Sequence, residues 1–208
     1  MKSSSVKIVV LDYGSGNVKS VANSLSYLEL DYKISNSNYD LQNASHIILP
    51  GVGAYKSSIE KIKSKIDTKF LKNEITTNNK FFLGICVGMQ VLSTKGYEFI
   101  ESDGLNLIPG KVLKLKTDKL PSIHTGWNEI KIINNCQLVE GLSNNSTFYF
   151  VHGYKFDLKD NNNLVSITDY NENFPSIIKS NNIYGVQFHP EKSQKSGLKL
   201  LSNFSKLN

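Results

Sequence analysis

Three short apolar runs in the first half of the chain predict buried strands, at residues 6–11, 46–49 and 81–83. After each of the first two runs, apolar side chains recur at intervals near 3.6 residues, which predicts helices at about residues 18–28 and 59–70. The third run also passes into a helix-like pattern. This β-α-β-α-β-α order predicts a parallel sheet with helices on both faces.

After about residue 104 the pattern changes to short apolar runs separated by turn residues, which predicts a β-rich half with added antiparallel strands. The strands expected there are residues 112–115, 129–132, 147–151, 165–167, 176–178 and 183–188. A last helix is expected at about residues 196–207. With no repeat or linker, residues 1–208 are predicted to form one domain of the α/β class, with a mostly parallel central sheet flanked by helices.

The third strand runs into a cysteine between two glycines, in the segment Gly84-Ile85-Cys86-Val87-Gly88. A strand that turns sharply into a helix holds the residue at the turn in a strained conformation, with its side chain at the top of the sheet. The glycines let the backbone pass closely. A helix beginning at Val87 places free N–H groups and partial positive charge beside the sulfur, which favours a thiolate and can hold an oxyanion. Taken alone, the pattern also suits a small buried core cysteine.

A histidine and a glutamate end the strand expected at residues 183–188, in the segment Phe188-His189-Pro190-Glu191. Residues two apart in an extended chain point to the same side, so His189 and Glu191 can face one site. A histidine beside a cysteine can take its proton and deliver it to a leaving amine, while a carboxylate fixes the imidazole orientation. A lone His-Pro-Glu is typical of a surface turn, but its occurrence with the cysteine elbow predicts a Cys–His–Glu triad.

The overall charge and the cysteine usage exclude several classes of function. The 208 residues carry a formal charge of +6, but every basic residue is a lysine and the lysines are scattered. Arginine is the usual reader of guanine and phosphate, so no nucleic-acid partner is expected. Two cysteines form no disulfide framework, and Cys136 is interpreted as a bystander. With no signal sequence and no apolar span, a cytoplasmic protein without a membrane partner is expected.

Two glycine-rich loops follow the first two predicted strands. Gly14-Ser15-Gly16-Asn17 could bind phosphate, but it lacks a third glycine and an acidic residue after a clear second strand. A tight loop open to a ligand or partner is therefore favoured over a dinucleotide site. In Pro50-Gly51-Val52-Gly53 the glycines free the backbone to turn its N–H groups outward, although an ordinary strand-to-helix turn has the same composition.

Together, G-I-C-V-G-M-Q at 84–90, P-G-V-G at 50–53 and F-H-P-E at 188–191 resemble the class I glutamine amidotransferases. The segments 12–17, 126–128 and 150–154 narrow the resemblance, over essentially the whole chain, to the glutaminase subunits of imidazole glycerol phosphate synthase. The resemblance implies a flavodoxin-like α/β glutaminase fold docked on a separate (β/α)8-barrel cyclase.

The resemblance also implies the substrate, L-glutamine, and a role for each matched residue. The triad carries over as Cys86, His189 and Glu191. The oxyanion hole is expected from backbone N–H groups at Val87, Gly51, Val52 and Gly53. Glutamine binding is expected from Gln90, Glu98, Gly153 and Tyr154. The partner interface is expected at Gly14, Ser15, Gly16, Asn17, Trp127 and Asn128. No cofactor and no metal are expected. The ammonia would pass to the cyclase subunit of a heterodimer, which makes imidazole glycerol phosphate and aminoimidazole carboxamide ribotide in histidine biosynthesis.

Three alternatives stay open on the sequence alone. The pyridoxal phosphate glutaminases are similar in size, but they carry P-G-G-E-S at the loop after the second strand and lack Trp127-Asn128. A paralogous glutaminase supplies ammonia for amidino groups on surface sugars. It stays open because residues 123–128, interpreted as a partner-facing loop, depart from the usual P-H-M-G-W-N. A catalytically idle binding subunit should have lost part of the triad, whereas all three triad residues are present.

Overall fold

The computed structural model describes residues 8–116 and 120–208, so the first two residues of the strand predicted at 6–11 lie outside the described residues. The strands are β1 (Ile8–Leu11), β2 (Tyr32–Ser35), β3 (His46–Gly51), β4 (Phe81–Cys86), β5 (Lys95–Gly96), β6 (Ser102–Asp103), β7 (Gly110–Lys114), β8 (His124–Glu129), β9 (Lys131–Ile132), β10 (Thr147–His152), β11 (Tyr154–Leu158), β12 (Leu164–Asp169), β13 (Asn173–Ser180) and β14 (Ile183–Val186). The helices are α1 (Val18–Tyr27), α2 (Asn38–Asn43), α3 (Tyr55–Lys65), α4 (Thr68–Thr76), α5 (Val87–Gln90) and α6 (Gln194–Phe204).

The central sheet has eight strands in the order β2-β1-β3-β4-β14-β13-β12-β9. The first five are parallel to one another, and the last three pair in antiparallel fashion. The α/β class with added antiparallel strands is therefore confirmed. In a doubly wound sheet of this order, ligands bind outside the carboxyl ends of the strands, near the point where the strand order reverses.

Burial explains why the apolar runs form the middle of this sheet. Every residue of β1, β3 and β14 is buried, as expected for parallel strands that are covered on both faces. The carboxyl ends of these strands and of β4 meet at one edge, where Gly51 pairs in register with Cys86. The loops that follow β1, β3, β4 and β14 therefore form one site.

The predicted helix at residues 59–70 is wrong as a single element, because the chain forms α3 and α4 with a break between them. Ile66 is extended, with φ −124° and ψ 132°. Asp67 then caps α4, and its Oδ1 accepts hydrogen bonds from the backbone N–H groups of Lys69 and Phe70 at 3.1 and 3.0 Å. The apolar spacing continues across the break because both helices pack on the same core.

The interpretation of residues 123–128 as a loop is also wrong. Residues 124–129 form β8, which pairs antiparallel with β10 and places Trp127 opposite Tyr149. The glycine and polar side chains of this segment hide its strand character, because the pairing is made by the backbone. Five further elements, β2, α2, β5, β6 and β11, are absent from the prediction because each is short or lies at a sheet edge.

Along the two described stretches of chain, no helix is both long enough and apolar enough to cross a bilayer.

Candidate active site

Cys86 is the last residue of β4 and the residue that precedes α5. Its backbone lies at φ +54° and ψ −112°, a region that residues with a side chain rarely occupy. Such strain costs about 1–3 kcal/mol and persists only where the surroundings impose it. The predicted sharp turn at the cysteine is therefore present, and the side chain is only 3% exposed.

The glycines around Cys86 allow three backbone segments to touch. A Cβ atom on Gly88 would collide with the carbonyl oxygen of Leu49, and one on Gly84 would collide with the carbonyl of Gly88. A Cβ on Gly51 would collide with the backbone of Val87 and Gly88. The predicted close passage of the backbone is confirmed: a side chain at Gly51 or Gly88 would push β3 away from the elbow, and one at Gly84 would push α5 away from β4.

His189 and Glu191 form a buried pair. Nδ1 of His189 lies 2.8 Å from Oε1 of Glu191, and each side chain is 1% exposed. The backbone N–H of His189 donates to the Tyr149 carbonyl at 2.9 Å, and the Ser193 hydroxyl donates to the backbone carbonyl of His189 at 2.6 Å. Ser193 also accepts from the Tyr149 N–H at 2.9 Å. Strand β10 therefore fixes the backbone on which the imidazole stands.

The charges around His189 favour its protonated form. Burial lowers the pKa of His189, but the nearby charge of Cys86 and the Glu191 carboxylate raise it. The net effect raises the His189 pKa to about 10. An imidazolium that faces a thiolate and is held by a carboxylate can give a proton to a leaving group.

Gln187 also reaches the sulfur, although the sequence analysis did not select it. It is fully buried, and its Nε2 lies 3.8 Å from Cys86 Sγ. Its Oε1 accepts from Gln90 Nε2 at 3.0 Å, and Gln90 Nε2 also donates to the Tyr154 carbonyl at 2.9 Å. The available signal was a glutamine within an apolar run, two residues before His189 and so on the same side of an extended chain.

A cavity of about 180 Å³ opens beside the sulfur. Its lining residues are Val52, Gly53, Cys86, Val87, Gln90, Glu98, Val151, His152, Gly153, Tyr154 and His189. The structure thus gathers every residue predicted for the oxyanion hole or for glutamine binding except Gly51, which lies at the end of β3. Glu191 stands behind His189, and Cys136 is not among the lining residues.

Glu98 connects the cavity to the start of α3. Its Oε2 accepts a hydrogen bond from the Tyr55 N–H at 2.6 Å, which satisfies a free donor of the first helical turn. The side chain is half-buried and keeps its second oxygen for other partners. A carboxylate in the cavity wall is therefore anchored to the start of α3.

The loop after β1 packs on the loop after β3. Gly16 has φ +98°, and a Cβ atom there would lie 2.9 Å from the Pro50 carbonyl oxygen. The Ser15 hydroxyl donates to the Val52 carbonyl at 3.4 Å, and Asn17 Nδ2 donates to Glu191 Oε1 at 3.3 Å. The residues predicted for the partner interface on this loop therefore touch both the predicted oxyanion loop and the triad carboxylate.

The predicted interface residues of β8 lie on the strand that pairs with β10. Trp127 is 48% exposed and packs edge-on against Tyr149, with ring centroids 6.1 Å apart. Asn128 Nδ2 donates to Nε2 of His124 at 3.3 Å and to the Asp169 carbonyl at 2.9 Å. Because β8 pairs with β10, these residues are one strand away from the cavity wall at Val151.

Two buried imidazoles lie between Asn128 and the cavity. Nδ1 of His124 is 3.3 Å from Nε2 of His152, and Nδ1 of His152 is 2.8 Å from the Tyr154 carbonyl. Burial lowers the pKa of His124 to about 4 and that of His152 to about 3. Both rings are therefore neutral at neutral pH.

Comparison with known proteins agrees with this geometry. Residues 9–207 match the family model described as glutamine amidotransferase class-I. The chain is 38% identical over 208 residues to imidazole glycerol phosphate synthase subunit HisH of Pelagibacter ubique, covering 97% of this chain and 100% of that one. It is 41% identical over 201 residues to subunit HisH of Methanocaldococcus jannaschii, covering 96% and 99%.

Solved structures share the fold. PurLQS from Thermotoga maritima superposes with a TM-score of 0.74 at 17% identity, over 95% of this chain and 96% of that chain. A glutamine amidotransferase from the same organism gives 0.65 at 15% identity, over 96% and 82%. The family match and the full-length relatives lead to one conclusion: the chain belongs to the class I glutamine amidotransferase family.

Proposed function

We propose that the chain is the glutaminase subunit of an imidazole glycerol phosphate synthase and works in the cytoplasm. It hydrolyses L-glutamine to glutamate and ammonia, and a (β/α)8-barrel cyclase subunit uses the ammonia in histidine biosynthesis. The observation that carries this proposal is Cys86, held at a strained elbow beside the buried His189–Glu191 pair and open to a cavity of about 180 Å³.

The first half of the reaction releases ammonia. The Cys86 thiolate attacks the side-chain amide carbon of glutamine, and the carbonyl oxygen becomes an oxyanion. Backbone N–H groups of Val87 and of the loop at residues 51–53 stabilise that charge. The His189 imidazolium protonates the amide nitrogen, the C–N bond breaks, and a thioester and ammonia result. Glu191 holds the imidazole through Nδ1 throughout.

The second half restores the enzyme. His189, now neutral, takes a proton from water as the water oxygen attacks the thioester carbonyl. The resulting intermediate collapses, the C–S bond breaks, and glutamate leaves while Cys86 returns as a thiolate beside the imidazolium. Glu98, in the cavity wall, is suited to pair with the α-ammonium of the substrate, and Gln90 with backbone groups of Gly153 and Tyr154 completes the binding site.

A partner is required because free ammonia is lost to water. The relatives are named as subunits of imidazole glycerol phosphate synthase, and the match covers nearly the full length of both chains. This favours histidine biosynthesis over the amidino-sugar alternative. The exposed face formed by residues 14–17 and by Trp127 and Asn128 is proposed to contact the cyclase. Residues 14–17 contact Val52 and Glu191, and β8 pairs with the cavity-lining strand β10, so docking there can influence the site.

Replacement of the nucleophile tests the function. In the complex with the cyclase, Cys86→Ala should abolish glutamine-dependent synthesis and leave ammonia-dependent synthesis largely intact. The matched control is Cys136→Ala, which should keep both activities because Cys136 is remote from the cavity. A glutamine-analogue electrophile should label Cys86 and leave Cys136 unlabelled. Glutamine-dependent synthesis by Cys86→Ala would overturn the assignment.

A further inference from the structure

We infer that Gln187 is a positioning residue for the nucleophile: its side-chain amide donates a hydrogen bond to Cys86 Sγ and stabilises the thiolate. The inference rests on the proposed glutaminase function and adds a fourth side chain to the machinery around the sulfur. Gln187 is fully buried, directly after β14, and its Nε2 lies 3.8 Å from the sulfur.

The orientation of the Gln187 amide follows from its neighbours. The Tyr154 carbonyl can only accept, so the Gln90 atom that faces it at 2.9 Å is the donor Nε2. The same Nε2 lies 3.0 Å from one end of the Gln187 amide, which must therefore be the acceptor Oε1. The other end, Nε2, is left to face the sulfur as a donor.

The Tyr154 carbonyl is held in turn by the imidazole pair. Because it accepts from Nδ1 of His152 at 2.8 Å, Nε2 of that ring is an acceptor and receives Nδ1–H of His124. Nε2 of His124 is then an acceptor for Asn128. One buried chain of hydrogen bonds thus begins on β8, passes through Tyr154 and ends at the sulfur, and each link admits only one direction.

The donor acts against an opposing contact. The Val151 carbonyl lies 4.0 Å from Cys86 Sγ, and a carbonyl can stabilise only the protonated sulfur, by accepting from S–H. The Gln187 N–H stabilises only the thiolate. Hydrogen bonds to charged groups are stronger than neutral ones, so in this pair the Gln187 contact prevails and holds the sulfur in its reactive form.

The test measures Cys86 alkylation by iodoacetamide in the full-length chain carrying Cys136→Ala, so that one thiol reacts. Gln187→Met keeps the side-chain length and removes the donor. At pH 7 we expect alkylation about tenfold slower than in the parent, because the thiolate loses a charge-assisted hydrogen bond. At pH 9.5 the difference should shrink, because the thiolate then forms without the donor.

Two further variants separate positioning from packing. Gln187→Glu keeps the acceptor for Gln90 but places a carboxylate beside the sulfur. Alkylation of Cys86 in this variant should therefore be slower still at pH 7. The variant also provides a second result if Gln187→Met fails to fold. The matched control is Asn203→Leu, which removes a buried amide of α6 that donates to the Leu138 and Glu140 carbonyls. It should alkylate like the parent at both pH values.

In the complex with the cyclase, Gln187→Met should lower the kcat for glutamate release about tenfold and leave KM within about threefold, because the donor acts on the sulfur rather than on substrate binding. Alkylation at the parent rate, or equal slowing at pH 7 and pH 9.5, would overturn the inference even if the glutaminase function holds. If the parent complex releases no glutamate, the proposed function fails, while the alkylation profile still decides the role of Gln187.

Discussion

The side-chain amide of Asn17 donates to Oε1 of Glu191 at 3.3 Å, the same oxygen that holds His189 at 2.8 Å. Asn17 occupies the N-cap position of α1, but its side chain makes no cap hydrogen bond to that helix. It contacts the triad carboxylate instead. A residue predicted for the partner interface therefore also holds the carboxylate that orients His189 in the proposed mechanism.

Replacement of Asn17 should therefore weaken catalysis. For Asn17→Ala in the complex with the cyclase, we expect kcat for glutamate release to fall about two- to tenfold, the effect of losing one long hydrogen bond to the carboxylate. Affinity for the cyclase must be measured alongside, because Asn17 lies on the proposed interface. The control is Asn23→Ala on the exposed side of the same helix, which should behave as the parent. An unchanged kcat at full complex saturation would remove Asn17 from the catalytic arrangement.

The two members of the buried dyad should differ in cost. In the proposed mechanism His189 moves the proton in both halves of the reaction, whereas Glu191 only holds the ring, so His189→Ala should be the more damaging change. We expect the glutaminase rate of Glu191→Ala to be roughly tenfold or more higher than that of His189→Ala, as in other catalytic triads. Glutamate release by both folded variants decides this, and a consistently larger loss in Glu191→Ala would reverse the assigned roles.

The imidazole pair predicts loss of stability in mild acid. The His124 and His152 pKa values are lowered from 6.5 to about 4 and about 3, so between these values and 6.5 the unfolded chain binds protons that the folded chain refuses. The free energy of unfolding should then fall as the pH drops below 6.5. His189 has the opposite sign: its raised pKa, about 10, contributes stability fully below 6.5 and loses it as the pH rises through 10.

Urea unfolding between pH 8 and pH 5 measures this dependence. His124→Phe keeps a ring that can stack between Phe150 and Tyr170, whose centroids lie 4.7 and 4.1 Å from the imidazole. It removes one group that titrates on unfolding, so the fall in stability from pH 6.5 to 5 should be shallower than in the parent. The slope between pH 7 and 8 serves as the internal control and should be the same in both. Equal acid slopes would show that His124 does not titrate on unfolding.

The turn at Cys86 and the His189–Glu191 pair could be predicted because each depends on only a few adjacent residues. The glycines around Cys86 predict a sharp strand-to-helix turn, and the two-residue spacing from His189 to Glu191 predicts that both side chains point to the same side. The apolar runs of β1, β3 and β4 likewise predict the buried middle of the sheet. In each case the local steric or periodic preference of the segment agrees with the conformation that the final fold requires.

The remaining features depend on contacts between distant segments. Residues 124–129 form a strand only because β10 pairs with their backbone, and the helix predicted at 59–70 breaks because Asp67 caps a new one. Gln187 resembles a core position by sequence, and its role emerges only when Gln90, 97 residues away, orients its amide. Side-chain chemistry of this kind cannot be seen before the sheet is assembled.

The loop at residues 51–53 has the properties of a conformational control. Gly51 and Gly53 flank Val52, which is 38% exposed, and Gly53 stands at φ +94° with no atom near a Cβ position. We propose that rotation of one peptide there decides whether an N–H group points toward the sulfur or away from it. The Ser15 hydroxyl, on the proposed partner face, contacts the Val52 carbonyl at 3.4 Å. A docked partner can therefore bias that choice through residues 14–17.

We accordingly expect the isolated chain to be nearly idle as a glutaminase and to be activated by the cyclase with its nucleotide ligand bound. Loss of one oxyanion donor typically costs about 100- to 1000-fold in rate. Each factor of ten corresponds to about 1.4 kcal/mol of difference in the free energy with which the partner binds the two loop conformations. The measurement is steady-state glutamate release by the chain alone, with the cyclase, and with the cyclase plus its ligand. Equal rates in all three would mean a permanently formed oxyanion hole and a partner that only collects ammonia, because the Cys86 chemistry would then need no rotation at Val52.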